Sequence, residues 1–193
     1  MKPHLTIRGV HELRATLEKP DPGSPVTHII SLWDSPARES EQAEINHYLG
    51  LFGLRLPGVP VLPLEFEDIS APVEGLTAPA PAHMTSVLAF ARMAIAERAD
   101  DTHLLVHCRM GVSRSTACGL AILAQSNPKV SSSDLFSHLL SLRAWLIPLP
   151  SHSRSNRISF SGLCLFCFMV RGLGYPNPHT PHGPVLWAAV TAG

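Results

Sequence analysis

Apolar positions along the chain recur with two different periods, which predicts that strands alternate with helices. Short runs rich in β-branched and other apolar residues, at 4–10, 27–34, 61–66 and 103–108, are typical of buried strands. Pro63 lies inside the third run and cannot donate a backbone hydrogen bond, so that run is expected at a sheet edge or a bulge.

Between and after these runs the apolar residues follow helical spacing. The pattern predicts a short helix at 11–19 and an amphipathic helix at 83–98 whose apolar side packs on a sheet. Small residues at 115–125 predict a helix close behind the fourth strand. The serines and the aspartate at 131–134 are N-cap candidates for a further helix that reaches about Trp145.

This order of elements predicts an α/β domain of three layers, with a central, largely parallel sheet of four to five strands flanked by helices. Binding sites in such folds lie at the carboxyl ends of strands. A chain of 193 residues suffices for one core, so we expect one domain at 1–172 and a Pro-rich C-terminal tail at 173–193. The most apolar stretch, 158–170, is too short for a membrane span and is expected to be a buried helix.

Charge and cysteine content mainly exclude some classes of partner and of protein. Lys and Arg together number 15, as do Asp and Glu, so no basic excess indicates nucleic acid or an anionic membrane as a partner. The first residues lack the apolar core of a signal peptide, and we expect a cytoplasmic protein. The four cysteines do not resemble a secreted disulfide framework and are expected to be free thiols. Any anion-binding site must therefore be local.

One segment, His-Cys-Arg-Met-Gly-Val-Ser-Arg-Ser at 107–115, carries the candidate chemistry. It places a cysteine at the end of an apolar strand and an arginine six positions later, where a helix begins. The backbone N–H groups between Cys108 and Arg114 can form a nest around a dianion, with the positive end of the helix dipole behind it. Gly111 permits the backbone geometry of a tight ring, and Arg114 can bind two phosphate oxygens with its planar fork.

The same field stabilises a thiolate, which predicts Cys108 as a nucleophile at neutral pH. Ser115 can direct its hydroxyl at the sulfur and help it leave from a phosphocysteine, whereas His107 lies outside the ring and can fix the loop by hydrogen bonds. The predicted phosphate-binding positions are those of the loop itself: Arg109, Met110, Gly111, Val112, Ser113 and Arg114.

These residues resemble the His-Cys-x5-Arg-Ser/Thr signature of the protein tyrosine phosphatase superfamily, in the form common among dual-specificity phosphatases and small bacterial relatives. The resemblance extends over about 27–145 and implies a phosphate monoester hydrolase with a phosphocysteine intermediate and no metal or organic cofactor. It also implies a general-acid aspartate after an earlier strand. Asp68 is the best match, Glu67 is the alternative, and Asp34 lies too far before Cys108 for this role.

The C-terminal part departs from the family pattern. Relatives often brace the loop with an asparagine shortly after an arginine, whereas here Asn156 follows Arg143 only after an insertion. The Cys-x-x-Cys motif formed by Cys164 and Cys167 has apolar neighbours and no second ligand pair, so a core helix is the favoured interpretation over a metal site.

The resemblance implies a phosphorylated protein, foremost one carrying phosphotyrosine, or a small phosphoester as substrate, and inhibition by phosphate or vanadate. Three alternatives stay open. The chain could be a phosphoinositide or small-molecule phosphatase, although more lysine is then expected in the loop. It could be a phospho-binding module with weak or no turnover, or a sulfur-transfer enzyme, since those enzymes also hold a cysteine in a backbone nest. The arginine at the sixth position and the serine after it favour phosphate.

Overall fold

The computed structural model describes residues 3–19, 24–69 and 73–142. Strands and helices alternate along these residues, and a 3-10 turn at Ala99–Asp101 follows the third helix. In chain order the elements are β1 His4–Gly9, α1 Val10–Glu18, β2 His28–Trp33, α2 Glu39–Arg55, β3 Val61–Glu65, α3 Pro81–Arg98, β4 His103–Cys108, α4 Arg114–Ser126 and α5 Ser132–Leu142.

The strands form one parallel sheet in the order β1-β4-β2-β3, which confirms the predicted fold class. The third strand in sequence lies at an edge of this sheet, as Pro63 indicates, and Pro63 is in register with Ser31 of β2. An edge strand tolerates proline because one side of its backbone needs no ladder partner. Strand β4 lies between β1 and β2, so the segment that follows it starts near the centre of the sheet.

Helices cover both faces of the sheet and bury a separate apolar cluster on each. On one face, α3, α4 and α5 pack against the strands through residues that include Met84, Val87, Ala117, Ile122, Leu135 and Leu139. On the other face, α1 and α2 pack through residues that include Leu13, Leu17, Ile45 and Phe52. Alternate residues of β4 enter the two clusters, Leu104 and Val106 on one face and Leu105 on the other. This is why β4 is apolar throughout, as is typical of a parallel strand buried on both faces.

Helix α2 has no counterpart among the predicted elements. Its buried apolar residues are Ile45 and Phe52, whereas Leu54 is 75% exposed and two glycines, Gly50 and Gly53, interrupt the pattern. The apolar stripe is therefore too sparse to stand out as a helical period. The residues it buries nevertheless include Phe52, whose side chain contacts the ring of His107 with centroids 5.6 Å apart.

Several sequence predictions lie outside the described residues. These are the domain boundary at 172, the Pro-rich tail, the brace by Asn156, the apolar stretch at 158–170 and the pair Cys164 and Cys167. Of the helices at 3–19, 24–69 and 73–142, none combines the length and the apolar character that a bilayer crossing requires.

Candidate active site

The sulfur of Cys108 lies inside the loop that joins β4 to α4. Its side chain is 1% exposed, and the backbone N–H of Gly111 donates a hydrogen bond of 3.2 Å to Sγ. Gly111 has a φ of 70°, in the left-handed region that favours glycine, and this value lets the chain curl back over the sulfur. The hydroxyl of Ser115, in the first turn of α4, is also 3.2 Å from Sγ. The structure thus brings together three of the predicted residues.

The turn between β1 and α1 supports the 108–114 loop from behind. The N–H of Val10 donates to the carbonyl of Arg109 over 3.0 Å, which turns that carbonyl towards the β1–α1 turn. Gly9 allows this close approach, because a Cβ there would lie 2.8 Å from the carbonyl oxygen of Met110. Met110 itself is 62% exposed and lies on the outer side of the loop.

Arg114 is buried at the start of α4, with its guanidinium held on two sides. Nη1 donates to the carbonyl of Phe66 over 2.7 Å, and Nη2 is paired with a carboxylate oxygen of Asp34 at 2.9 Å. Nε is buried and has no hydrogen-bond partner within the described part of the chain. A buried donor of this kind needs an acceptor, and an anion in the 108–114 loop would supply one.

Asp68 and Glu67, the two candidates for a general acid, point to different places. Ser113 donates its hydroxyl to Oδ1 of Asp68 over 2.6 Å, which joins the segment after β3 to the 108–114 loop. Glu67 instead accepts the N–H of Ser35 over 3.1 Å. Partial burial and the charge of Asp34 raise the pKa of Glu67.

Asp34 belongs to this site although sequence reasoning set it aside. It follows the last residue of β2, and β2 and β4 are neighbours in the sheet. Parallel strands end at the same edge, so residues that follow β2 and β4 come close together. Asp34 is far from Cys108 along the sequence, so the sequence alone did not indicate that the two residues lie close together. The order of the strands in the sheet was the signal that could have indicated it.

A buried hydrogen-bond network underlies the loop at the end of β4. Ser31 of β2 accepts the indole N–H of Trp33 over 2.7 Å and is bonded to Nε2 of His107 over 2.7 Å. Burial, and to a smaller degree the charge of Arg114, lower the pKa of His107 to about 3. The imidazole is therefore neutral near pH 7 and acts as a fixed polar support.

Comparison with solved structures shows that this architecture has known counterparts. Human DUSP28 superposes with a TM-score of 0.52 at 19% identity, covering 86% of this chain and 88% of DUSP28. A mutant form of Tk-PTP superposes with a TM-score of 0.52 at 17% identity, covering 89% of this chain and 93% of Tk-PTP. The chain has a tyrosine phosphatase fold. No family model and no curated protein matches its sequence.

In this phosphatase fold a pocket of about 280 Å³ opens beside the 108–114 loop. Charged residues dominate its lining: Asp34, Glu41, Glu44, Glu67 and Arg109. Arg109 forms an exposed ion pair of 2.7 Å with Glu44. The approach to the loop on this side is thus rich in carboxylates. Among the residues that the structure describes, no three His, Cys, Asp or Glu side chains are grouped to hold a metal ion.

Proposed function

We propose that the chain is a protein tyrosine phosphatase-type hydrolase that cleaves phosphate monoesters through a phosphocysteine. The observation that carries the proposal is the position of Cys108 Sγ, 3.2 Å from both Gly111 N and Ser115 Oγ, in the same loop as the buried Arg114. Donors around a cysteine favour its thiolate, and a fixed arginine binds an oxyanion in the same place.

In the proposed reaction the thiolate of Cys108 attacks phosphorus while the phosphorus–oxygen bond to the leaving group breaks. Asp68 gives its proton to the leaving oxygen, and Arg114 with the loop N–H groups holds the phosphoryl oxygens. Water then attacks the phosphocysteine and passes a proton to Asp68, which releases inorganic phosphate and restores the thiolate. The hydroxyl of Ser115 stabilises the departing sulfur by a hydrogen bond.

The contacts of the two acidic residues support Asp68 as the acid. Asp68 is exposed and accepts a hydrogen bond from Ser113, a member of the 108–114 loop, so its carboxyl group lies beside the loop that is proposed to bind the ester. The pKa of Glu67 is raised by burial and by the charge of Asp34, but its carboxyl group accepts the N–H of Ser35 rather than a donor of the 108–114 loop.

The charge near the loop favours phosphoprotein substrates over phosphoinositides. An inositol lipid headgroup carries several phosphates and would meet the carboxylates of the neighbouring pocket, which repel anions. Arg109, the cation of the loop rim, is already paired with Glu44. A phosphotyrosine side chain carries one phosphate dianion. The 108–114 loop can bind this phosphate while the tyrosine ring remains outside the loop.

The decisive experiment measures phosphate release from phosphotyrosine, phosphoserine and phosphoinositide substrates by wild type and by Cys108→Ser. Wild type is expected to hydrolyse phosphotyrosine fastest, and Cys108→Ser is expected to bind substrate without turnover, because the N–H nest does not depend on sulfur. Cys118→Ala is the matched control, since Cys118 is a buried thiol in α4 outside the site. Turnover by Cys108→Ser at the rate of wild type would refute the mechanism, and substrate binding without turnover by wild type would show a phospho-binding module.

A further inference from the structure

We propose that Ser113 is a positioning residue whose hydroxyl holds Asp68 in place for proton transfer to the leaving group. Ser113 acts through Asp68, and its hydroxyl does not contact the phosphoester. This role rests on the proposed function, because it assumes that Asp68 protonates the leaving oxygen. The reaction steps described above use the backbone N–H groups of the 108–114 loop but not the hydroxyl of Ser113.

The hydroxyl of Ser113 does not have the role that is usual for its position. Ser113 is the N-cap residue of α4, where a serine side chain commonly accepts an N–H of the first helical turn. Within the described residues it makes no capping bond, and it donates to Oδ1 of Asp68 over 2.6 Å. Ser113 is buried, and a buried hydroxyl needs a partner. Helix capping therefore does not explain this serine, whereas its contact with the acid does.

The backbone immediately before Asp68 is fixed by hydrogen bonds on several sides. The N–H of Phe66 donates to the carbonyl of Trp33 over 2.9 Å, and the carbonyl of Phe66 accepts Nη1 of Arg114 over 2.7 Å. The N–H of Glu67 donates to a backbone carbonyl, that of residue 77, over 2.8 Å. These bonds fix the main chain but not the exposed side chain of Asp68, which has several staggered rotamers open to it. The bond from Ser113 selects one of them.

Two consecutive residues thus tie the acid segment to the proposed phosphate site. Arg114, the proposed clamp, contacts Phe66, and the residue before it, Ser113, contacts Asp68. A phosphate held by Arg114 and the loop therefore has the carboxyl group of Asp68 at a set distance. Such placement matters to the rate, because a misplacement of about 1 Å can cost about 10²-fold.

The direction of the hydrogen bond suits both protonation states of Asp68. Ser113 donates to Oδ1, which leaves Oδ2 to carry the proton that passes to the leaving oxygen. When that proton leaves, Asp68 becomes a carboxylate, and the bond from Ser113 becomes charge-assisted and stronger. The hydroxyl therefore stabilises Asp68 more as the proton is transferred than before, which is the kind of interaction that lowers a barrier.

The test compares two substrates, phosphotyrosine and an aryl phosphate with a far more acidic leaving group. It measures kcat/KM of the full chain, which reports formation of the phosphocysteine. Ser113→Ala is expected to lower kcat/KM on phosphotyrosine about 10- to 100-fold, as for the loss of a hydrogen bond to a charged group. On the acidic aryl phosphate, which needs little proton donation, the loss should stay below about threefold. The inhibition constant of sulfate should stay within about twofold, because Arg114 and the loop N–H groups remain.

Three further variants show whether Ser113 acts through Asp68. Ser113→Thr keeps the hydroxyl and is expected to stay within about threefold of wild type on both substrates. Ser126→Ala is the matched control, because it removes a hydroxyl in the last turn of the same helix, and it should change neither kcat/KM value. In an Asp68→Asn background, adding Ser113→Ala should cost less than about twofold on phosphotyrosine, since a residue that acts through the acid has no effect once the acid is absent.

Four results would overturn the positioning role: no loss on phosphotyrosine in Ser113→Ala, equal losses on the two substrates, losses that multiply in the double variant, or a Ser113→Thr variant with the same substrate-dependent loss as Ser113→Ala. Thermal unfolding identifies a variant that fails to fold. Ser113→Cys, close to serine in size but a weaker donor, then replaces Ser113→Ala with the same expected substrate dependence. Any of the four in an active wild type refutes this inference alone, whereas a wild type that hydrolyses neither ester refutes the proposed function and this inference with it.

Discussion

The hydroxyl of Ser113 donates a 2.6 Å hydrogen bond to Asp68, and this contact joins the 108–114 loop to the segment that follows the edge strand β3. Phe66 contributes a second connection, since its carbonyl accepts Nη1 of Arg114. The candidate nucleophile, clamp and acid therefore meet at the carboxyl ends of β4 and β3, although 45 residues separate Ser113 from Asp68.

Asp68→Asn is expected to slow phosphotyrosine hydrolysis by about 10²–10⁴-fold, the usual contribution of a general acid. The tyrosine oxygen has a conjugate acid of pKa about 10 and leaves poorly without a proton. An aryl phosphate with a far more acidic leaving group needs less help, so the deficit should shrink for that substrate. Steady-state kcat measured on both substrates gives the comparison.

Glu67→Gln is the matched control for this prediction, because it makes the same chemical change one residue earlier. A leaving-group dependence that appears in Glu67→Gln and not in Asp68→Asn would assign the acid to Glu67. If neither variant shows it, the proton donor is a different residue.

Local sequence information was sufficient for the part of the site that is continuous in the chain. A buried strand, a glycine-containing loop and a helix start occur in succession, so the placement of Cys108, Gly111, Arg114 and Ser115 followed from their order alone. The acid candidate needed the family resemblance as well, because nothing local distinguishes Asp68 from other loop carboxylates.

Residues that join the site through the sheet could not be predicted in the same way. Three such residues lie on β1 or β2 or follow them: Gly9, Ser31 and Asp34. Each contacts a residue of β4 or of the segment that follows β4, and these contacts exist because β4 lies between β1 and β2 in the sheet. The number of strands and their parallel direction were predictable, but their order was not. Helix α2 was missed for a different reason, since its apolar side is narrow and interrupted by glycines.

Gly9→Ala is expected to reduce kcat/KM by at least about tenfold, more than its effect on stability alone would explain. The new Cβ would lie 2.7 Å from the ring of His11 and 2.8 Å from the backbone carbonyl of Met110, so either the β1–α1 turn or the 108–114 loop must shift to relieve the contacts. Overpacking of this kind costs about 1–3 kcal/mol, which urea unfolding would measure beside the kinetics. Gly50→Ala is the control, because a Cβ at Gly50 meets no atom within 4 Å and alanine favours a helix. Equal activity of Gly9→Ala and wild type would show that the loop position is not set by this turn.

His107 is expected to contribute to acid sensitivity of the fold. Its pKa falls from an ordinary 6.5 to about 3 in the folded chain, so between these values the unfolded chain binds more protons. Stability should therefore decrease as pH falls from about 6.5, with a slope from this residue of up to about 1.4 kcal/mol per pH unit. His107→Gln, which retains a partner for Ser31, should lose that part of the slope in urea unfolding measured from pH 7 to pH 4. The exposed His138→Gln is the control, and an equal slope in wild type and His107→Gln would exclude the contribution.

Two buried thiols, Cys108 and Cys118, should differ strongly in their reaction with iodoacetate at about pH 6. Burial, together with the charge of Cys108, raises the pKa of Cys118 to about 12, so its thiolate is almost absent. Cys108 instead has the N–H of Gly111 and the hydroxyl of Ser115 within 3.2 Å of its sulfur, inside the loop that is proposed to hold the anion. Peptide mapping after short exposure should find Cys108 alkylated and Cys118 intact, and vanadate should protect Cys108 by occupying the 108–114 loop. Equal labelling of the two cysteines in the folded protein, or labelling of Cys108 that vanadate does not slow, would contradict a nucleophile held inside an anion-binding loop.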